Sequence, residues 1–414
     1  MAIVRPFKAI RPQKELAEKV AALPYDVMSS EEARAMVKGN PYSFLHIDKA
    51  EIDLDESIDL YDIRVYEKAR DNLHNMINDK VFLQDDKPLF YIYQQTMKGR
   101  TQTGLVATAS IDDYLNNVIK KHEHTRADKE QDRIRHVDYC DANTGPIFLT
   151  YKHNQEIEKL INQSINAAPE YKFIANDVLQ KVWLVVDDEV IAKIQELFSD
   201  ISDLYIADGH HRSKSAVEVG LQRRLSHPNY SIDDEFNYFL VVLFPDKDLY
   251  IMDYNRLVKD LNHHSKEEFL SLVEEKFVLE QLVDSSGFSP TEKYTFGMYL
   301  DNSWYKLTAR KNTFDSDNPV ERLDVSILQN NLLGPILGID DPRVSDRIDF
   351  LGGIRGIEVL QKEVDDNKMV LAFTMYPTAI QDLMDIADAG EVMPPKSTWF
   401  EPKLLSGLFI HKLS

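Results

Sequence analysis

The chain has a single cysteine, Cys140, among its 414 residues, so no internal disulfide can form and a disulfide-stapled scaffold is excluded. It also lacks a long apolar run. The most apolar stretch, Tyr238-Phe-Leu-Val-Val-Leu-Phe244, falls far short of the roughly 20 residues that cross a bilayer, and its β-branched content suits a buried strand. No basic segment followed by an apolar one stands at Met1, which makes the cytoplasm the expected location and leaves no membrane partner. Basic charge is scarce as well. The 48 Lys and Arg face 69 Asp and Glu, a formal net charge of −21 whose field repels a polyanion, so nucleic acid is disfavoured as the main partner. A compact anion such as a nucleotide remains compatible with that charge, because a few oriented N–H groups and one arginine act at short range.

What is present is ordinary for a folded protein: 43% hydrophobic and 28% charged residues. The length exceeds what one core usually serves, and two regions are expected, 1–260 and 261–414. Ser29 with Glu32 three positions on predicts a capping box for a helix ending before Gly39, and Val65, Ala69, Leu73, Met76 and Ile77 predict a longer helix with one buried stripe. The acidic stretch Asp48 to Asp62 between them reads as a solvated loop. Leu89–Thr96 and Thr101–Ile111 read as a hairpin around Met97-Lys98-Gly99-Arg100. Similar pairs are expected for Tyr238–Phe244 with Leu249–Asp253, and for Tyr294–Leu300 with Trp304–Leu307. Helical patterns at Glu156–Ile165, Glu189–Phe198, Ser213–Leu225, Lys266–Phe277 and Pro319–Leu333 complete a mixed α/β (α+β) chain with several antiparallel hairpins and added helices.

The sharpest chemical feature is Leu204-Tyr205-Ile206-Ala207 followed by Asp208-Gly209-His210-His211-Arg212 and a helix with Val217, Leu221 and Leu225 on its expected apolar face, flanked by Ala216 and Gly220. A strand that feeds a tight loop into a helix leaves first-turn N–H groups unpaired at the positive dipole end, which attracts phosphate, and Gly209 permits close approach. Arg212 adds a two-pronged grip, and His210 or His211 can donate hydrogen bonds or move protons. The plain alternative has Asp208 capping the helix and both histidines on the surface. In Lys121-His122-Glu123-His124-Thr125, an extended strand would put His122 and His124 on one face and Glu123 on the other. Glu123 could serve as a general base there, with an exposed polar strand end as the alternative. The spacing is not that of a His-Glu-x-x-His zinc helix. Arg126 to His136 reads as a charged helix carrying Arg126 and Arg133. Asn143-Thr144-Gly145-Pro146 reads as a turn or a substrate loop, and Met393 to Phe400 as a proline-stiffened loop offering Lys396 and Ser397.

Several segments together carry a resemblance: Arg5-Pro-Phe-Lys-Ala-Ile-Arg-Pro12, Leu23-Pro-Tyr-Asp-Val27, Asn40-Pro-Tyr-Ser-Phe-Leu-His46, Lys121 to Thr125, Asp132-Arg-Ile-Arg-His136, Asn143 to Pro146, Ala207 to Arg212 and Met393 to Phe400. They resemble domain-of-unknown-function family 1015 over nearly the whole chain, and the Asp-Gly-His-His-Arg loop is similar to that of the ParB/Spo0J and sulfiredoxin-like superfamily, free-serine kinases included. The resemblance implies a ParB/sulfiredoxin-like nucleotide-binding core and a phosphotransferase that uses ATP or ADP with Mg²⁺ on a free amino acid or another hydroxyl metabolite. In that reading Gly209, His210, His211 and Arg212 hold phosphates, and Glu123, Asp208 and His211 are catalytic. Asp208 caps the turn or binds Mg²⁺, and His122, Thr125, Arg126, Arg133, Lys396 and Ser397 contact substrate or phosphate. Sulfiredoxin's reactive cysteine is replaced by His210, which removes its redox chemistry. No helix-turn-helix or basic face accompanies the loop, which weakens the alternative, a nucleotide-gated ParB-like binding protein associated with DNA. The interval from Glu123 to Asp208 is longer than a compact kinase needs and leaves room for an insertion.

Overall fold

The computed structural model describes residues 1–125, 127–283 and 286–414. These residues form two compact units, one of 1–249 with 402–414 and one of 250–401. The division expected after residue 260 thus falls earlier, and the last residues return to the first unit. That return is built from backbone pairing: Ile410 bridges Ile10, Ser406 bridges Ala22, and His411–Lys412 pairs with Ala142–Asn143.

Among the described residues, the first unit is organised on a nine-stranded mixed sheet. Its main order runs Ile119–Lys120, Leu204–Asp208, Ile147–Tyr151, Tyr238–Pro245, Arg100–Ser110, Phe90–Met97, Val178–Val185 and Tyr171–Ala175, with Val4–Arg5 added beside Arg100–Ser110. The predicted hairpin forms around Lys98 and Gly99, both at positive φ as a primed two-residue turn requires. The strand Tyr238–Pro245 is buried throughout, as its unbroken apolar run demands. Its expected hairpin with Leu249–Asp253 does not exist. A fully buried strand needs partners on both edges, and it finds them antiparallel in Arg100–Ser110 and parallel in Ile147–Tyr151.

Other local expectations divide in the same way. The capping box at Ser29 forms with Glu32, and the helix Ile63–Asn78 buries Val65, Ala69, Leu73 and Met76. The acidic stretch is not wholly solvated: Leu45–Asp48 and Ala50–Asp53 are helical turns that bury Ile47, Asp48 and Ile52. Among the described residues the charged helix spans Ala127–Cys140, and Ile134, Val137 and Cys140 give it a buried side.

Among the described residues of the second unit, a six-stranded antiparallel sheet includes the predicted hairpin of Thr295–Leu300 with Ser303–Ala309. The helix expected over Pro319–Leu333 is shorter, Asp324–Leu328, continued by a wider turn over Gln329–Leu333. No helix among the described residues is long and apolar enough to cross a membrane.

Candidate functional site

The strand Leu204–Asp208 runs into Gly209 and then into the helix His210–Ser226. Its register against Ile147–Tyr151 slips between Ile206 and Asp208, a bulge of the kind that re-aims a side chain at a strand end. Gly209 adopts φ +95°, a left-handed conformation that side chains disfavour, and it supplies no side-chain cap. Asp208 does not take over that role. Its Oδ1 accepts the Gly209 N–H at 2.8 Å and its Oδ2 lies 3.2 Å from Lys403 Nζ, so it braces the turn from the strand side. Burial alone would raise the Asp208 carboxyl, but Lys403 and Arg212 outweigh it and hold the group well below the usual carboxylate range.

The expected face holds at Val217 and fails at Leu225, which is 82% exposed. Ser213, Ala216, Val219 and Gly220 are buried with Val217. Small residues let neighbouring backbone close in. A Cβ on Gly220 would sit 2.5 Å from the Phe236 carbonyl oxygen, and Ser215 Oγ donates to the Glu130 carbonyl of the helix Ala127–Cys140 at 3.2 Å. This packing fixes where the first turn of His210–Ser226 points.

Arg212 folds back over that first turn. A Cβ on Gly209 would lie 3.2 Å from its Nε, and Nη1 donates to the Pro146 carbonyl at 2.5 Å. The Nε is buried without a hydrogen-bond partner. Burial disfavours the Arg212 charge, yet Asp26, Asp208, Tyr25 and Asp48 more than restore it. Beside it is a small cavity of about 20 Å³, room for one water, lined by Tyr25, Asp48, Arg133, His136, Thr144 and Arg212 among others. Arg133 lies on this wall with its charge secured. It pairs with Asp132 at 2.9 Å and stacks over the Tyr25 ring at 4.1 Å. Thr144 Oγ1 donates to Asp48 Oδ1 at 2.9 Å.

The segment before the charged helix reaches the same helix start. The strand Ile119–Lys120 ends two residues before His122, so strict alternation no longer separates His122 from Glu123. His122 is 2% exposed, and its ring packs edge-on to His210 with centroids 4.4 Å apart. Glu123 is exposed, with Oε2 3.7 Å from His210 Nδ1. Burial lowers His122 to about 4, and burial, with His122 adding to it, takes His210 well below its ordinary value. Both rings are therefore neutral near pH 7.

His211 is half-buried as the second residue of the helix, and Thr125 Oγ1 donates to Glu130. Arg126 lies outside the described residues. Lys396 and Ser397 belong to the second unit, where they have partners of their own. Lys396 Nζ sits 5.6 Å from the Tyr254 ring centroid, and Ser397 Oγ donates to the Pro394 carbonyl at 2.6 Å. Sequence reasoning missed Tyr25, Asp26, Asp48, His136 and Lys403. Leu-Pro-Tyr-Asp carried a signal, since Pro24 fixes the backbone ahead of Tyr25 and Asp26.

Fold and site together define a mixed α/β chain whose first unit presents an uncapped helix start beneath a half-buried arginine. The chain belongs to the family described as protein of unknown function (DUF1015), which matches residues 4–326. Among curated proteins no relative of significant similarity is found. Solved structures that resemble it include a free serine kinase in complex with AMP, 12% identical over 71% of this chain and 86% of that one, with a TM-score of 0.37. They also include SbnI with a C-terminal truncation from Staphylococcus aureus, at 11% identity over 73% and 85% with a TM-score of 0.39. A conserved hypothetical protein from Pyrococcus furiosus matches at 12% identity over 73% and 94%, with a TM-score of 0.35. Likeness at this level carries no functional inference.

Proposed function

We propose that this protein is a phosphotransferase that binds a nucleotide, ATP or ADP, and moves a phosphoryl group to the hydroxyl of a small metabolite such as a free amino acid. One observation carries the reading: a half-buried arginine whose buried Nε is unpartnered lies across a left-handed glycine at an uncapped helix start. First-turn amides and an arginine fork together suit phosphate oxygens. The resemblance of the Asp-Gly-His-His-Arg loop to that of free-serine kinases supports the same assignment.

Residue roles follow from position. Gly209 lets the phosphate approach, the first-turn amides and Arg212 hold it, and His211 flanks it from the second helical position. Glu123, exposed yet within 3.7 Å of the neutral His210, is placed to take a proton from the acceptor hydroxyl. Arg133, its guanidinium fixed by Asp132 and Tyr25, orients the acceptor from the cavity wall. Asp208 does not fit as a direct Mg²⁺ ligand, since both carboxylate oxygens are engaged by Gly209 and Lys403. Magnesium then enters with the nucleotide, coordinated by its phosphates.

The test is a calorimetric titration with ATP, ADP, CTP and GTP, followed by incubation with free amino acids and hydroxy metabolites under phosphorus NMR. Wild type is expected to bind one nucleotide and yield a new phosphomonoester. Glu123→Gln should keep the nucleotide and lose roughly 100- to 10,000-fold in transfer. No binding of any nucleotide would overturn the site, and binding without transfer would overturn the enzyme.

A further inference from the structure

We infer that His122, Glu123 and His210 form a binding site for a divalent transition-metal ion, reached through His122 Nδ1, a carboxylate oxygen of Glu123 and Nδ1 of His210. The inference goes beyond phosphotransfer and does not rest on it. One ligand atom from each of the three residues lies within 4.8 Å of the others. Around a tetrahedral Zn²⁺ such atoms stand about 3.3 Å apart, given bonds near 2.0–2.1 Å. Closing that difference takes a shift of the exposed Glu123 carboxylate toward the two rings.

The independent observation is His122 itself. Its ring is 2% exposed and its Nδ1 has no hydrogen-bond partner. A metal-ligating histidine turns one ring nitrogen to the ion, and a buried ring nitrogen without a protein partner suits that role. A structural histidine gains nothing from burying an orphaned nitrogen.

His210 completes the arrangement with one rearrangement. Its Nδ1 faces Glu123 Oε2 at 3.7 Å, while its Nε2 faces the His122 backbone N–H at 3.5 Å. An ion on Nδ1 moves the ring proton to Nε2 and gives up the latter contact, which is already at the long limit of a hydrogen bond. Two imidazoles and one carboxylate suit Zn²⁺, Fe²⁺ or Co²⁺ and are a poor set for Mg²⁺, which demands oxygen. Three protein ligands leave a position for water or substrate.

The experiment strips the full-length chain with a chelator and titrates it with Co²⁺ in excess Mg²⁺ and without nucleotide, reading ligand-field absorption and calorimetric stoichiometry. Wild type is expected to take one equivalent with a visible spectrum of mixed nitrogen and oxygen ligation, displaced by Zn²⁺ and not by Mg²⁺. Glu123→Gln should weaken Co²⁺ at least about tenfold, the loss that even an outer partner of a ligand brings. His122→Gln should abolish the spectrum, with circular dichroism to confirm that it folds. If His122→Gln fails to fold, the exposed Glu123 position still decides the matter. Absence of absorption in wild type overturns the inference, as does a spectrum and affinity unchanged in Glu123→Gln. With no nucleotide present, the result is independent of nucleotide binding.

Discussion

Replacing Arg212 separates recognition from stability, because its side chain serves each through different atoms. In Arg212→Ala the Nη1 bond to Pro146 at 2.5 Å disappears, together with packing over Gly209 and Gly145. Asp26 and Asp48 lose a neighbouring cation, whereas Asp208 keeps Lys403 at 3.2 Å. Loss of one charged hydrogen bond from a buried acceptor costs about 1–3 kcal/mol, and that is the expected fall in ligand-free stability by chemical denaturation. Nucleotide affinity should fall separately. A guanidinium–phosphate contact is worth about 1.5–3 kcal/mol, which at about 1.4 kcal/mol per decade is roughly 10- to 150-fold in Kd by calorimetry. Arg212→Lys distinguishes the two effects: it returns the charge that the carboxylates need but not the planar fork, so stability should largely recover while affinity does not. If Arg212→Ala binds nucleotide with a Kd within twofold of wild type, the phosphate role assigned to this guanidinium is wrong.

Gly209→Ala places a Cβ at φ +95° and 3.2 Å from Arg212 Nε, so it should cost about 1–2 kcal/mol in stability and weaken nucleotide as the guanidinium is pushed aside. An unchanged denaturation midpoint together with unchanged affinity would remove the need for a left-handed residue there. In the second unit, burial pushes the Asp324 carboxyl up to about 7 from 3.8, while its Oδ1 accepts the Tyr294 N–H. Its protonated form is favoured in the fold, so its contribution is fully present below about pH 4 and lost as pH rises through 7, a span of roughly 4 kcal/mol. Asp324→Asn should therefore flatten the decline of the thermal midpoint between pH 5 and pH 8, by scanning calorimetry, and an identical slope in the variant would refute the burial argument.

How much of this the sequence disclosed depended on how local the physics was. The turn at Lys98-Gly99, the capping box at Ser29 and the strand–glycine–helix at Leu204 to Arg212 are each specified within a few residues, and each formed. The partners of the loop are not local. Lys403 reaches Asp208 from 195 positions away, and no pattern near either residue encodes the pair. Asp48 was hidden for the opposite reason: it opens an acidic stretch whose average composition reads as solvated, although Ile47 and Ile52 on either side of it are buried. The helix His210–Ser226 was legible at Ala216, Val217 and Gly220, which are buried, and misled through size at its end, where Leu225 is 82% exposed.

His122 and Glu123 show where a correct rule meets the wrong segment. Alternation every second residue puts them on opposite faces, and that holds only while the chain is a strand, which ends at Lys120. Past that point both can turn to His210. The sequence announces two histidines and a glutamate near each other in number, or far apart in the case of His210, without saying that one of the rings will be sealed from water with an unanswered nitrogen. Folding selects against such a defect unless something offsets it, so a buried acceptor left open beside two further ligand atoms is better explained by a partner that arrives after folding than by packing.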